Sequence, residues 1–139
     1  MTIENFISNA LSLDAQKLII EAASQNLPEL ADLNTIQLSK GFLSDGKRTD
    51  TYTNPDYAKY KKSIGSKSVP YADLKLTSEF HEGFYAKVQG DNLQIGSTDS
   101  KEAKLQQQFT PEIFGVNTVE FCEQIDTDLS LIIDKKLMK

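Results

Sequence analysis

The chain of 139 residues has few of the residues that build covalent or metal-centred chemistry: one cysteine, Cys122, and one histidine, His81. A single cysteine excludes an intrachain disulfide and a cysteine-based zinc site, and a single histidine excludes a multi-histidine metal site. The seven glycines are scattered, and neither a G-x-S-x-G elbow nor a phosphate-cradling glycine loop occurs. Apolar runs are only a few residues long, too short for a membrane-spanning helix. The opening MTIENFISNALS has no basic region, so no signal peptide is expected. Twenty acidic against fifteen basic residues give a net charge of −5, a poor balance for a protein that coats DNA or RNA. The apolar fraction of 39% is modest and the charged fraction of 25% ordinary. The expectation is one soluble intracellular domain, residues 1–139, with no cofactor, no metal and no membrane partner.

The charge is unevenly spread. Residues 41–71 hold six basic and three acidic groups, whereas the rest of the chain is acidic throughout. This one basic segment also carries four of the five tyrosines, Tyr52, Tyr57, Tyr60 and Tyr71. Residues 41–70 read as a long polar stretch with a turn at Asp45-Gly46, a short strand near 48–53 and a helical turn near 55–61. Long irregular segments in a small domain tend to be functional or mobile.

Hydrophobic periodicity assigns the rest. Ile3, Ile7, Leu11, Leu18 and Ala22 form one helical stripe over 3–25, with Ser12 and Asp14 leaving a break open. Leu27 before Pro28 ends that pattern. Residues 34–40 alternate, Ile36 and Leu38 against Thr35 and Gln37, which predicts a half-buried strand. A short helix is expected over 71–82. Residues 84–88 and 93–95 read as strands joined by a Gly90-Asp91-Asn92 turn, and 100–109 suit another short helix. The last helix is the best marked. Asn117 is its N-cap, Glu120 completes a capping box, and Val116 with Phe121 forms a staple. Phe121, Ile125, Leu129, Ile132 and Leu137 form its buried stripe. Early Glu123, Asp126 and Asp128 and late Lys135, Lys136 and Lys139 suit the helix dipole.

The fold class is therefore α+β: an N-terminal helix, a small mainly antiparallel sheet with a long polar loop, and a C-terminal amphipathic helix packed on the sheet. The expected core is Ile7, Leu11, Leu18, Ile36, Leu38, Phe80, Phe84, Val88, Ile95, Phe121, Ile125, Leu129 and Ile132.

Catalytic groups are sparse. Glu79 and Glu82 share a face if 71–82 is helical, with His81 between them, but solvated surface charges are the commoner fate of such a group. Cys122 is expected to be buried beside Phe121 rather than reactive. No enzyme signature is present. Lys47, Arg48, Lys59, Lys61, Lys62 and Lys67, interleaved with tyrosines, suit phosphate contact and base stacking, which makes a small nucleic-acid-binding accessory protein using the arm 47–67 the alternative function. The same arm suits a protein partner, since Tyr and Arg favour interface hot spots. Its candidate contact residues are Arg48, Tyr52, Tyr57, Tyr60, Lys61 and Lys62.

From Gly41 onward the order of features forms a series. Ser44-Asp45-Gly46-Lys47 is followed by Tyr57-Ala58-Lys59-Tyr60-Lys61. Leu74-Lys75-Leu76-Thr77-Ser78 runs on to Phe84, then comes Leu93-Gln94-Ile95-Gly96-Ser97. Ala103 to Phe109 and Pro111 lead through Ile113-Phe114-Gly115 to the capped helix. This series resembles the virion-morphogenesis proteins of tailed bacteriophages, the tail-completion and head–tail joining family of the phage Mu type. Ser78 and Gly83 stand where that family has Gly and Ser, and Glu112 lies where an Arg is usual. The resemblance implies a non-catalytic assembly role. The chain would form a homo-oligomeric ring in the neck or head-proximal tail, beside neighbouring phage proteins and close to packaged DNA. Its location would be the virion, and the host cytoplasm during assembly.

Overall fold

The computed structural model describes residues 2–75, 79–99, 102, 105 and 110–138. The α+β expectation holds: helices surround one two-stranded antiparallel hairpin. The N-terminal stripe is two helices, α1 (Ile3–Leu11) and α2 (Ala15–Ser24). The break falls at the Ser12 and Asp14 positions, because Asp14 caps α2 by accepting from the Lys17 N–H at 3.3 Å. Only α2 reaches the core. In α1 no residue is buried, and Ile7 and Leu11 are 51% and 82% exposed, against expectation.

Residues 34–40 are not a strand. They belong to α3 (Leu27–Ser39), whose second position is Pro28. Proline lacks the N–H that a first helical turn leaves unpaired anyway, so here it starts a helix. The alternation misled because two positions on the buried side are polar. Leu30, Asn34 and Leu38 recur at every fourth residue and are all fully buried, with Gln37 beside them, while Ile36 is turned outward and 47% exposed. Helix α3 is the spine of the molecule. Its Leu30 joins one apolar cluster with Leu18, Ala22, Ala23, Ile125 and Ile132. Its Leu38 joins a second with Leu43, Leu74, Phe80 and Ile113.

Helix α4 (Pro55–Ser63) and the single turn α5 (Glu79–Glu82) follow. Where a strand near 48–53 was expected there are two isolated bridges, Phe42 to Arg48 and Thr51 to Tyr71. Residues 71–75 are not helical: Tyr71 forms a bridge and Leu74 has a positive φ of 61°. The hairpin pairs β1 (Phe84–Gln89) with β2 (Asn92–Ser97), and Gly90 has the positive φ, 63°, that a two-residue turn asks of its first position. Register puts Ala86 opposite Ile95 and Val88 opposite Leu93 on one face. On the other face Tyr85 lies over Gly96, where a Cβ would come within 2.8 Å of the tyrosine oxygen. The helix expected over 100–109 lies mostly outside the described residues; Glu102 and Leu105 are helical.

A 3-10 turn (Pro111–Ile113) precedes the last helix, α6 (Thr118–Leu137). Asn117 caps α6 as expected, its Oδ1 accepting from Val119 N–H at 3.0 Å. The capping box is replaced by a tertiary bond. The Asn117 N–H donates to Gln37 Oε1 at 2.9 Å. Asn34 completes this clamp, donating to Ile113 O at 2.9 Å and accepting from Gly115 N–H at 2.8 Å, while Gln37 donates to Gly115 O at 3.0 Å. Helix α6 packs mainly along α2, and its buried Ile125 and Ile132 share a cluster with Ala86 and Leu93 of the hairpin. Cys122, expected to be buried, is exposed, in a first turn whose Val119 is 65% exposed.

Candidate functional site: a basic, tyrosine-bearing helix held on a buried ion pair

Residues 41–70 do not project as an arm. Gly41, with φ of 80°, starts the segment in a tight corner where a Cβ would stand 2.9 Å from the Tyr71 Cβ. Thr49 then ties both ends together, its N–H donating to Gly41 O at 2.9 Å and its hydroxyl to Ala72 O at 2.6 Å. Arg48 is exposed but immobilised. Its guanidinium lies 3.9 Å from the Phe42 ring centre and 4.6 Å from that of Tyr71, and donates to Lys40 O at 3.0 Å.

Asn54 caps α4 by accepting from the N–H groups of Asp56 and Tyr57, and Pro55 occupies its first position. The helix is then anchored from below by a charge. Lys61, read from the sequence as a surface contact, is buried. Its Nζ lies 3.0 Å from Asp73 Oδ1 and donates to Lys75 O at 2.7 Å, with both side chains of the pair almost fully covered. Lysine reaches this position because its long apolar stem crosses the interior before the ammonium meets its partners.

Asp73 is saturated with donors. The Lys75 N–H donates to Oδ1 at 2.9 Å, the Ser66 hydroxyl to Oδ2 at 3.0 Å and the Tyr52 hydroxyl to Oδ1 at 3.3 Å. Burial pushes the Asp73 carboxyl up, but the Lys75 N–H, the Lys61 ammonium and the Ser66 hydroxyl outweigh it and hold the group below its ordinary 3.8. Tyr52, desolvated by burial beside this carboxylate, is pushed up from 10.0 to about 12. His81 sits against the same segment, Nε2 2.9 Å from Asp73 O, between Phe80 and Phe84. Burial lowers its pKa from 6.5, and its bond to the Asp73 carbonyl only partly offsets that.

Chemically this network is an anchor. The Ser66 hydroxyl donates a hydrogen bond to a carboxylate too weakly basic to activate it, and His81 Nε2 meets a backbone carbonyl instead of the serine. Of Glu79, His81 and Glu82, expected to be solvated surface charges, Glu82 is exposed, His81 is half-buried on the Asp73 carbonyl, and the Glu79 side chain lies outside the described residues. Among the described residues no three His, Cys, Asp or Glu side chains converge to hold a metal.

The other side of α4 faces outward. Lys59 is exposed there, Tyr60 and Lys62 are exposed on its two flanks, and Ile64 just past the end of the helix is exposed too, Tyr60 and Ile64 at 56% and 57%. A ladder of rings links this face to the anchor: Tyr52 meets Tyr57 edge-on at 5.2 Å and Tyr57 meets Tyr60 at 6.2 Å. Of the six contact candidates, Tyr60 and Lys62 are open, Arg48 is exposed and pinned, Tyr52 and Tyr57 are half-buried, and Lys61 is interior. A cleft of about 350 Å³ opens beside α4, lined by Gly65, Ser66, Lys67, Lys75 and the buried pair.

Sequence reasoning missed Asp73. The signal was a lone carboxylate between Ala72 and Leu74, just past the lysine-rich segment. Among the described residues no helix is long and apolar enough to cross a membrane. No family model matches the chain, no curated protein matches it, and no solved structure matches it.

Proposed function

We propose that the chain is a structural subunit of a tailed-phage particle, a head–tail joining or tail-completion protein that works as a homo-oligomeric ring without catalysis. The observation that carries this reading is helix α1. It turns Ile3, Phe6, Ile7 and Leu11 outward along one face and buries none of its residues. A contiguous apolar face left in water is completed by a neighbour. The order of motifs from Gly41 to the capped α6 supports the same reading through its resemblance to the virion-morphogenesis family. A rigid base supports it too, since a ring needs identical heterologous contacts that close, and the saturated anchor under α4 presents its outer face in one geometry. The virion is the proposed location, with neck or tail proteins as further partners.

Electron microscopy of particles made with this gene disrupted tests the proposal. Filled heads and finished tails lying apart are the expected result. Normal infectious particles overturn it, and attention then moves to nucleic-acid binding by Lys59, Tyr60 and Lys62, read as affinity falling steeply with salt.

A further inference from the structure

The cleft of about 350 Å³ beside α4 holds more positive charge than its acid can offset. Lys61, Lys67 and Lys75 line it together with Asp73, so three ammonium groups against one carboxylate leave two positive charges. Asp73 is already committed to Lys61, Ser66, Tyr52 and the Lys75 N–H. Lys67 and Lys75 are exposed, and among the described residues neither pairs with a carboxylate. The cleft also lies at the end of α3, at Ser39, and just past the end of α4, at Ile64. The negative ends of these two helix dipoles together subtract at most about one charge, so a positive balance remains.

Lys61 adds a donor in a fixed place. An ammonium has three N–H groups. Two meet Asp73 Oδ1 and Lys75 O, and the third has no acceptor among the described residues. The side chain is only 3% exposed and already ordered, so a ligand meeting that donor does not have to immobilise it. The charges of Lys61 and Lys75 are both felt at His81, where each lowers the pKa, so the two ammonium groups lie in one neighbourhood. Beyond Lys75 an adjoining hollow carries Asp32 and Glu82, which repel an anion there and confine it to the Lys61 end. Ile64, 57% exposed, gives the cleft an apolar wall.

We propose that this cleft binds the phosphate of a small organic phosphomonoester. The phosphate oxygens accept from Lys61, Lys67 and Lys75, and the carbon part of the ester rests on Ile64. A phosphomonoester carries about two negative charges at pH 7, which matches the cleft better than the single charge of a carboxylate. Lysine suits this role as a point charge that needs no bidentate geometry. The volume falls at the small end of ligand sites, about 300–1,000 Å³. The site does not depend on the ring reading.

Phenyl phosphate is the probe, titrated into the full chain at constant ionic strength and followed by amide NMR shifts. Saturable shifts are expected at Gly65, Ser66, Lys67 and Lys75. Lys67→Ala with Lys75→Ala is expected to weaken binding about tenfold or more, the factor a charge-assisted hydrogen bond supplies. It leaves the buried pair intact, because Lys75 serves that pair through its backbone. Lys59→Ala with Lys62→Ala removes the same charge from outside the cleft and is expected to leave binding unchanged. Ile64→Ser is expected to weaken phenyl phosphate and spare inorganic phosphate. Shifts that never saturate, or that both lysine pairs reduce alike, overturn the site, because they report only general attraction to surface charge. Benzoate binding as tightly as phenyl phosphate overturns the phosphate, and inorganic phosphate binding as tightly overturns the ester. None of these results bears on particle assembly, so the site can fail while the ring reading stands.

Discussion

Lys61 and Asp73 meet at 3.0 Å with almost no solvent on either side chain. Removing two charges from water costs several kcal/mol per ion, and the pair persists because backbone and hydroxyl groups complete it. The asymmetry of such pairs sets the prediction. Lys61→Met leaves a carboxylate buried without its cation and should cost about 3–5 kcal/mol, whereas Lys61→Met with Asp73→Leu should recover most of that loss. Urea unfolding of the two variants checks it, and equal losses would mean that the charge pair is not the source. The same cluster sets the pH dependence. The folded Asp73 lies below 3.8, so its contribution is complete above that value and is lost as the pH falls through the folded one. His81 is also lowered, from 6.5, so the unfolded chain binds the proton first and stability declines on acidification below 6.5. Tyr52 is raised from 10.0 to about 12, so its contribution is intact below pH 10 and is lost towards 12. A thermal midpoint that falls below pH 6.5 in the wild type and is flatter there in His81→Gln is the expected record.

Elements in this molecule owe their positions to polar side chains as much as to apolar ones. Asn34 and Gln37 hold 113–117 to α3 through four hydrogen bonds of 2.8–3.0 Å. Asn34→Ala leaves a buried N–H and a buried carbonyl without partners, each worth about 1–3 kcal/mol, and should rank among the most damaging single changes. Glu120→Ala should cost less than about 0.5 kcal/mol, because the capping bond it was expected to make is supplied by Gln37. Chemical denaturation separates the two. The hairpin and α6 were legible beforehand because their signals are local: a Gly-Asp turn between alternating runs, and a capped, dipole-ordered amphipathic stretch. Helix α3 was not legible, because buried Asn34 and Gln37 interrupt the apolar period and leave Ile36 and Leu38 looking like one face of a strand. α1 is a second element-scale case. Its Ile7 and Leu11 touch water, so Ile7→Ser with Leu11→Ser should change stability by less than about 0.5 kcal/mol while abolishing complementation of a disrupted gene. A large loss of stability instead would mean that α1 is a core element.

At the scale of the whole molecule, charge is sorted in three dimensions. The basic segment exposes Lys59, Lys62 and Lys67 while Lys61 lies inside, and the start of α6 exposes Glu120, Glu123 and Asp126, on a body of net charge −5. Self-association through these charges should weaken as salt is raised, since exposed charges more than about 10 Å apart are largely screened near 0.1 M salt. Sedimentation across a salt series checks this, and association that strengthens with salt would assign the contact to the apolar face of α1 instead.

Composition alone excludes an intrachain disulfide and a zinc site built on several cysteines or histidines, since the sequence holds one of each. The α+β class, the hairpin and the last helix were also determined locally, by spacing and by turn and cap residues whose preferences act over a few positions. Tertiary structure alone decided which charges are inside. Lys61 and Lys62 are neighbours with identical side chains, and only the approach of Asp73, twelve positions further on, makes one an interior anchor and the other a surface cation. The same holds for Asn34 and Gln37, whose burial depends on the carbonyls and N–H groups of a segment nearly eighty residues away. A buried polar group is tolerated only where its partner sits, and partners brought together by folding leave no periodic mark on the chain.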